Sequence, residues 1–386
     1  MTNSWAEVAI VYRFLPEWRA DFFCRLRESL ESHKIRLRLL YGKNPPSVRT
    51  STVSHRLKWG DEVDLHWGMP ISNRLWNLGK YELVWQRLPQ SVFDADLLVL
   101  MQENSLISNY FAGLRRIIQG KKTALWGHGI NHQEDRHSVA NTFKCLWSTQ
   151  VDWWFAYTSS VAEELRRLRY PAERITIVNN AIDTTALKEE AQKVQPARLS
   201  RLRAELGIGK GPVGIFCGGM YPDKQLPFLI RACEIVRSQV PGFEVLFLGT
   251  GVDAAVVQRF ADTHNWAHYI GPKYGADRVP YFMLSDVFLM PGVVGLAILD
   301  CFALETPLVT MNNPHHGPEI GYLEPGISGI ISDNSLAAYV GAVVQVLRSE
   351  DLLSLLKCGC RRSSTQYTVE KMVASFSEGV QNALTQ

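Results

Sequence analysis

The stretch that most restricts the fold is Ser285–Thr310, SDVFLMPGVVGLAILDCFALETPLVT. Val287–Met290 is an apolar run of buried-strand length, and Pro291-Gly292 ends it. A short helix begins near Leu296, and a second buried strand closes the stretch. Gly292 and Gly295 let the backbone come close to a ligand where that helix offers unpaired N–H groups and the positive end of its dipole. A diphosphate suits such a place. One helix turn further on, Asp300 lies where a carboxylate can accept hydrogen bonds from a ribose diol. These residues alone also fit an ordinary strand–helix unit with an exposed aspartate, and it is the order of features on either side that decides.

Upstream, Val213–Lys224 reads as a strand, a glycine loop at Gly218-Gly219 and a lysine, followed by a helical pattern through Leu229, Ile230, Cys233 and Val236. Downstream come Gly317-Pro318-Glu319-Ile320 and then Pro325-Gly326-Ile327-Ser328-Gly329. In this order of motifs the chain resembles the retaining glycosyltransferases of the large family four. Their pattern is a G-x-x-x-x-x-K loop, a glycine turn before an acid-bearing helix, a P-E step and a D/P-G-x-x-G turn. The resemblance covers nearly the whole chain and implies an α/β architecture of the GT-B type, two doubly wound Rossmann-like domains facing a central cleft.

With 386 residues the chain is long for one core, so two domains are expected. The first is placed at 1–190 and binds the acceptor, and the second at 191–366 binds the nucleotide sugar. A final helix at 367–386 returns to the first. No apolar run reaches the ~18 residues a membrane helix needs, and Met1–Glu7 has no signal-peptide pattern, so a cytoplasmic protein is expected. The seven cysteines are odd in number and scattered, which suits reduced thiols. Charge is uneven: residues 1–198 hold 27 Lys and Arg against 21 Asp and Glu, or +6, and the rest hold 14 against 17, or −3. A basic first half fits an anionic partner such as the inner face of the cell membrane or a lipid-linked acceptor, and a merely solvated imbalance fits equally.

Within the first half, Val8–Val11 and Ile35–Tyr41 read as strands around a helix at Ala20–Ser32, with Arg13 and Arg19 near the strand ends as candidate anion-binding groups for an acceptor. Asn44–His66 is expected to be an irregular loop. Glu103 follows the strand Leu97–Met101 and is a candidate for an acceptor hydroxyl. Asp94-Ala95-Asp96 has a metal-binding form but precedes a strand, so a solvated turn is preferred and no metal is assigned. His128, between Gly127 and Gly129 after the strand Thr123–Trp126, has backbone room for a ligand. Two stretches carry aromatic and basic residues suited to a membrane interface: Leu106–Lys122, and Phe143–Tyr157, for which a core role is preferred.

The resemblance assigns roles to these residues. Lys224 would neutralise the donor diphosphate with help from Gly218, Gly219, Gly295 and Leu296, and Asp300 would hold the ribose. Pro272 would border the base, Gly292 and Glu319 would line the donor site, and His128 would contact the transferred sugar. The donor is a nucleotide sugar, UDP-linked before GDP-linked, and serves as a co-substrate, so no cofactor and no nucleic acid is expected. The acceptor is a glycan, lipid-linked by preference, in surface polysaccharide or glycoconjugate synthesis. Three departures stand out. Gly219 replaces the family's usual Arg, Gly292 replaces the first of two Glu spaced eight apart, and Asp300 replaces the second. A non-catalytic nucleotide-sugar-binding scaffold and a transferase for a soluble acceptor are the alternatives.

Overall fold

In the computed structural model, which describes residues 5–43, 63–78, 81–129 and 147–386, the apolar runs pair into two separate sheets. The elements in chain order are β1 (Ala6–Tyr12), α1 (Glu17–Ser32), β2 (Ile35–Lys43), β3 (Met69–Leu78), β4 (Tyr81–Gln86), β5 (Leu97–Met101), α2 (Ile107–Ile118), β6 (Lys122–Gly127), β7 (Trp153–Ala156), α3 (Ser159–Arg167) and β8 (Ile175–Ile177). They continue with α4 (Thr185–Lys193), α5 (Pro196–Glu205), β9 (Val213–Cys217), α6 (Leu226–Gln239), β10 (Glu244–Leu248), α7 (Ala254–Thr263), β11 (Ala267–Gly271), α8 (Val279–Met283), β12 (Val287–Leu289), α9 (Ala297–Ala303), β13 (Leu308–Met311), β14 (Gly329–Ser332), α10 (Leu336–Arg348), α11 (Glu350–Gln366) and α12 (Val369–Thr385).

The chain divides into two units, Met1–Ile182 with Val369–Gln386, and Asp183–Thr368. The first holds an eight-stranded sheet in the order β4-β3-β2-β1-β5-β6-β7-β8, parallel except for the β3–β4 pair. The second holds six parallel strands in the order β11-β10-β9-β12-β13-β14. Each is the doubly wound α/β arrangement. The stretch expected to be a polar linker, Leu187–Pro196, is mostly helix α4. The expected loop over Asn44–His66 lies largely outside the described residues.

The first unit is built on aromatic packing. Trp126 is fully buried at the end of β6 and meets Tyr12, Phe22, Phe23, Tyr157 and Phe376, all with ring centroids within 6.0 Å. Phe376 comes from α12 and lies stacked on Phe155 at 4.1 Å, so the last helix supplies part of this core. Strand β3 carries little apolar alternation because its inward position Asn73 bonds backbone. Its side-chain amide donates to the Arg13 carbonyl (2.9 Å), and Gln86 opposite donates to Asn73 Oδ1 (3.0 Å).

Helix α2 is inside out. Its buried face is Ser108, Asn109, Ala112, Gly113 and Arg116, while Phe111, Leu114, Ile117 and Ile118 are 62, 53, 47 and 78% exposed. The polar face is inside because it satisfies backbone groups. Asn109 donates to the Met101 carbonyl (2.9 Å), and Arg116 donates to the carbonyls of Phe93, Ala95, Asp96 and Lys122 at 2.5–3.2 Å. Gly113 leaves room for the Trp147 ring, whose nearest atom would stand 2.2 Å from an added Cβ. Trp153 and Trp154 lie buried in β7, and both indoles donate within the unit. They are core side chains, which removes them from any membrane face. Arg116 leaves that face as well.

Candidate active site

In the second unit four turns converge at the C-terminal ends of the strands, where a doubly wound sheet binds its ligands. The first follows β9. Its Gly218 has φ 152° and its amide donates to the Leu248 carbonyl (3.0 Å), so that N–H is spent on the fold and is not a phosphate donor as expected. Gly219 lies under the Tyr221 ring, 2.3 Å from where a Cβ would stand. The turn then places Lys224 just before α6, with Gln225 in the left-handed region. A second turn, Gly249-Thr250-Gly251 after β10, packs against the first so closely that a Cβ on Gly249 would stand 1.9 Å from the Gly218 carbonyl oxygen.

The third turn, Gly292–Leu296, is fastened to both of its neighbours. Val293 N–H donates to the Asp223 carbonyl (2.8 Å), and Lys224 Nζ donates to the Val293 carbonyl (2.5 Å). From the other side Gly317 N–H donates to the Val294 carbonyl (2.9 Å), and Val294 N–H donates to His316 Nδ1 (3.0 Å). A Cβ on Gly292 would stand 2.2 Å from the Asp223 oxygen and 2.5 Å from Lys224 Cα, so only glycine fits. Gly295 faces open space. Helix α9 behind it is only seven residues long. The fourth turn carries Glu319, a buried residue whose Oε2 lies 2.6 Å from where a Gly317 Cβ would be. Lys224, Gly292, Gly295, Leu296 and Glu319 are therefore brought together. Pro272 sits exposed after Gly271 at the end of β11.

Asp300 is 4% exposed, and both of its oxygens are held by Arg278 at 2.9 Å. Burial pushes its carboxyl above the usual range, and the guanidinium opposes that push. Cys217, beside the same guanidinium, is a neutral thiol, its pKa pushed up to about 12 by burial. Thus the Arg278 charge is matched by Asp300, and a ribose would have to share that carboxylate with it. Nothing in the sequence around Arg278 singled it out. His316 was also missed, although a histidine pair between a strand end and Gly-Pro is a visible signal.

The first unit arranges its candidates differently. Because β1 and β5 run parallel side by side, Arg13 and Glu103 leave the same edge and form an ion pair. Glu82 on β4 pairs with the other end of the guanidinium, and Ser105 Oγ accepts from it at 3.3 Å. Arg13 is thus matched by two carboxylates and is not an open anion site, which corrects the expectation for it. Arg19 is corrected too. It is fully buried, donating to Asn180 Oδ1 and the Ala181 carbonyl (3.2 Å), with its guanidinium 4.6 Å from the Trp18 ring centroid. It ties α1 to the loop after β8. His128 is exposed and edge-on to Tyr157 at 4.2 Å. Both flanking glycines are needed, since a Cβ at Gly127 or Gly129 would stand 2.8 Å from Gln102 or Val161. Asp96 of the D-x-D accepts from the Glu7 amide (2.8 Å).

Two doubly wound sheets, the second wholly parallel with a lysine and glycine turns at its strand ends, define a GT-B glycosyltransferase architecture. Comparison with known sequences agrees: the family model described as Glycosyl transferases group 1 matches residues 211–349, and that described as Glycosyltransferase Family 4 matches residues 22–186. The chain belongs to this family of GT-B glycosyltransferases.

Among curated proteins it is 30% identical over 99 residues to a GDP-mannose-dependent alpha-(1-6)-phosphatidylinositol monomannoside mannosyltransferase of Mycolicibacterium smegmatis, covering 25% of this chain and 26% of that protein. The match thus spans about a quarter of that relative's length. Among solved structures it is similar to HepE of Anabaena in complex with UDP, with a TM-score of 0.67, 13% identity and coverage of 97% of this chain and 100% of that one. HepE has also been solved with UDP-glucose. A glycosyltransferase from Rickettsia africae matches with a TM-score of 0.67, 13% identity and full coverage of both chains. At this identity the likeness is one of fold.

Proposed function

We propose that the protein is a retaining, metal-independent hexosyltransferase that moves a sugar from a nucleotide-sugar donor to a hydroxyl of a lipid-linked glycan in surface polysaccharide or glycoconjugate synthesis. The observation that carries this is the seat of Lys224, an ammonium held among glycine turns at the strand ends of the second unit. Charge-assisted bonds from such a group to a diphosphate are the strong kind. Likeness to a protein seen with UDP and with UDP-glucose supports a UDP-sugar. The local match to a GDP-mannose-dependent enzyme supports a GDP-sugar next. Lys224 neutralises the diphosphate, and Asp300 and Glu319 line the donor. The departing diphosphate takes the proton of the incoming hydroxyl on the same face, so the protein's work is orientation and stabilisation of leaving-group charge.

Thermal unfolding with UDP, GDP, ADP and dTDP, with and without EDTA, tests the reading. One nucleotide should raise the melting temperature independently of EDTA. Lys224→Ala should weaken its binding ten- to a hundredfold, from the ~1.5–3 kcal/mol of a bond to a charged group. Unchanged affinity in that variant would refute the site. The packing of Gly292 favours a second reading, a nucleotide-sugar-binding scaffold without turnover, because that position cannot carry a carboxylate. Release of sugar from sugar nucleotides of the base that binds separates the two.

The exposed apolar face of α2 supports docking to the inner face of an anionic membrane. Phe111 continues into Trp85 of β4 at 5.4 Å, and the same elements carry exposed cations: Arg74 opposite Trp85 on β3, Arg87 just after β4 and Arg115 on α2. Among the described residues no helix is long and apolar enough to cross a membrane. The protein should float with phosphatidylglycerol vesicles, less so at high salt. Replacing Phe111, Leu114 and Ile118 together by serine should reduce the bound fraction at least tenfold, at about 1.5–3 kcal/mol per buried side chain. Equal flotation of the variant would exclude α2 as the contact. Failure of the wild type to float would instead favour a soluble acceptor.

A further inference from the structure

We propose that His316 is a positioning residue of the donor site, fixing the Gly292–Leu296 turn and, through the Val293 carbonyl, the ammonium of Lys224; this rests on the donor-site reading above. Both ring nitrogens of His316 are assigned by their partners. Nδ1 accepts from the Val294 amide (3.0 Å), which is always a donor, and Nε2 lies 2.8 Å from the Met311 carbonyl, which is always an acceptor. The ring is therefore the neutral Nε2–H tautomer. One residue before the Val294 amide, the Val293 carbonyl receives Lys224 Nζ (2.5 Å). An ammonium has three donors, and the one placed on Val293 sets where the others point. Main-chain bonds also reach the turn: Val293 N–H to Asp223, Gly317 N–H to Val294, and the Ile298 and Leu299 N–H groups to the Gly295 and Leu296 carbonyls. They hold its edges but leave the Val294 amide to the histidine.

A proton added at Nδ1 would set a donor against the Val294 N–H and release it. The charged groups around the ring are Lys224 in front, with Asp223 4.0 Å from its ammonium, and Glu319 on the following turn beside Gly317; His315 next to it in sequence is exposed. Burial and the Lys224 charge hold the ring below the ordinary histidine range, and the bond to Met311 opposes them only in part. The neutral ring's support of the turn is thus complete above the ordinary histidine value. It is lost as pH falls through the lower folded value.

The test compares the wild type with His316→Ala and His316→Asn, whose amide oxygen can take the place of Nδ1. Hydrogen exchange of segment 292–296 should be faster in the alanine variant and near wild type in the asparagine variant. The UDP or GDP dissociation constant should rise about tenfold in H316A and return to within about threefold in H316N. On acidification, exchange corrected for its intrinsic rate should rise in the wild type and stay flat in H316N. Unchanged exchange in H316A, with its melting temperature unchanged, overturns the positioning role whatever the nucleotides do. Failure of the wild type to bind any nucleotide overturns the donor-site reading and this role with it. The two failures are told apart because the exchange measurement needs no ligand.

Discussion

Replacing Arg278 by alanine is expected to destabilise the protein by about 3–5 kcal/mol at neutral pH, the loss typical when one member of a buried ion pair is removed. Asp300 has a 5% exposed side chain, and both of its oxygens bond this one guanidinium. Cys217, the other group against Arg278, stays an uncharged thiol and offers the carboxylate no compensation. The sign of the pH dependence follows from Asp300. Burial already raises its folded-state pKa, and Arg278 is the opposing influence. Without Arg278 the value rises further, so the folded state binds a proton that the unfolded chain has released. Stability then falls as pH rises from the ordinary carboxylate range through the raised value. Urea unfolding of the variant should therefore show a small deficit near pH 4 that grows toward pH 8. A deficit that is the same at both ends would mean that Asp300 is not the group left behind. Asp300→Asn, which keeps an acceptor for Arg278, should lose less.

The second large effect is expected from Gly292→Glu, the substitution that restores the family's usual carboxylate. In an isolated motif it would read as a repair. Here it should cost about 2–4 kcal/mol, combining overpacking with one or two lost hydrogen bonds. The first side-chain carbon would stand 2.2 Å from the Asp223 carbonyl oxygen, and the obstacle is backbone that no rotamer change can relieve. The turn would have to lift away, breaking Val293 N–H to Asp223 and Lys224 to Val293. Urea unfolding gives the stability change, and nucleotide binding should fall with it. A variant that binds UDP or GDP more tightly than the wild type would show that the two turns separate easily, and that the carboxylate was missing in function as well as in sequence.

Much of the fold was legible because buried parallel strands are written as short apolar runs. Val8–Val11, Leu97–Met101, Val213–Cys217, Glu244–Leu248 and Val287–Met290 stand out for that reason. Strand β3 escaped notice since one of its buried side chains, beside Ile71, is an asparagine bonded to backbone. Helix α2 showed its apolar and basic residues plainly, and the expected membrane face included Arg116. What could not be read was the direction of the arginine, which turns inward because four carbonyls at the loop and strand ends need donors. Arg13 and Arg19 illustrate the same limit. A sequence states that a cation follows a strand, but its partners arrive from Glu82, Glu103 and Asn180, far away along the chain.

The proposed donor site divides along the same line. Its inventory of glycine turns, Lys224, Asp300 and Glu319 is local in sequence, because backbone close approach and a diphosphate's charge demand particular residue types at particular strand ends. The pairing of Asp300 with Arg278, the closure of Gly292 against Asp223, and the hold of His316 on Val294 were decided by tertiary structure alone. Each of these joins residues 22 to 69 positions apart. Hydrophobic periodicity sets which elements form and how they layer, but it carries no information on which polar groups meet once the layers have packed.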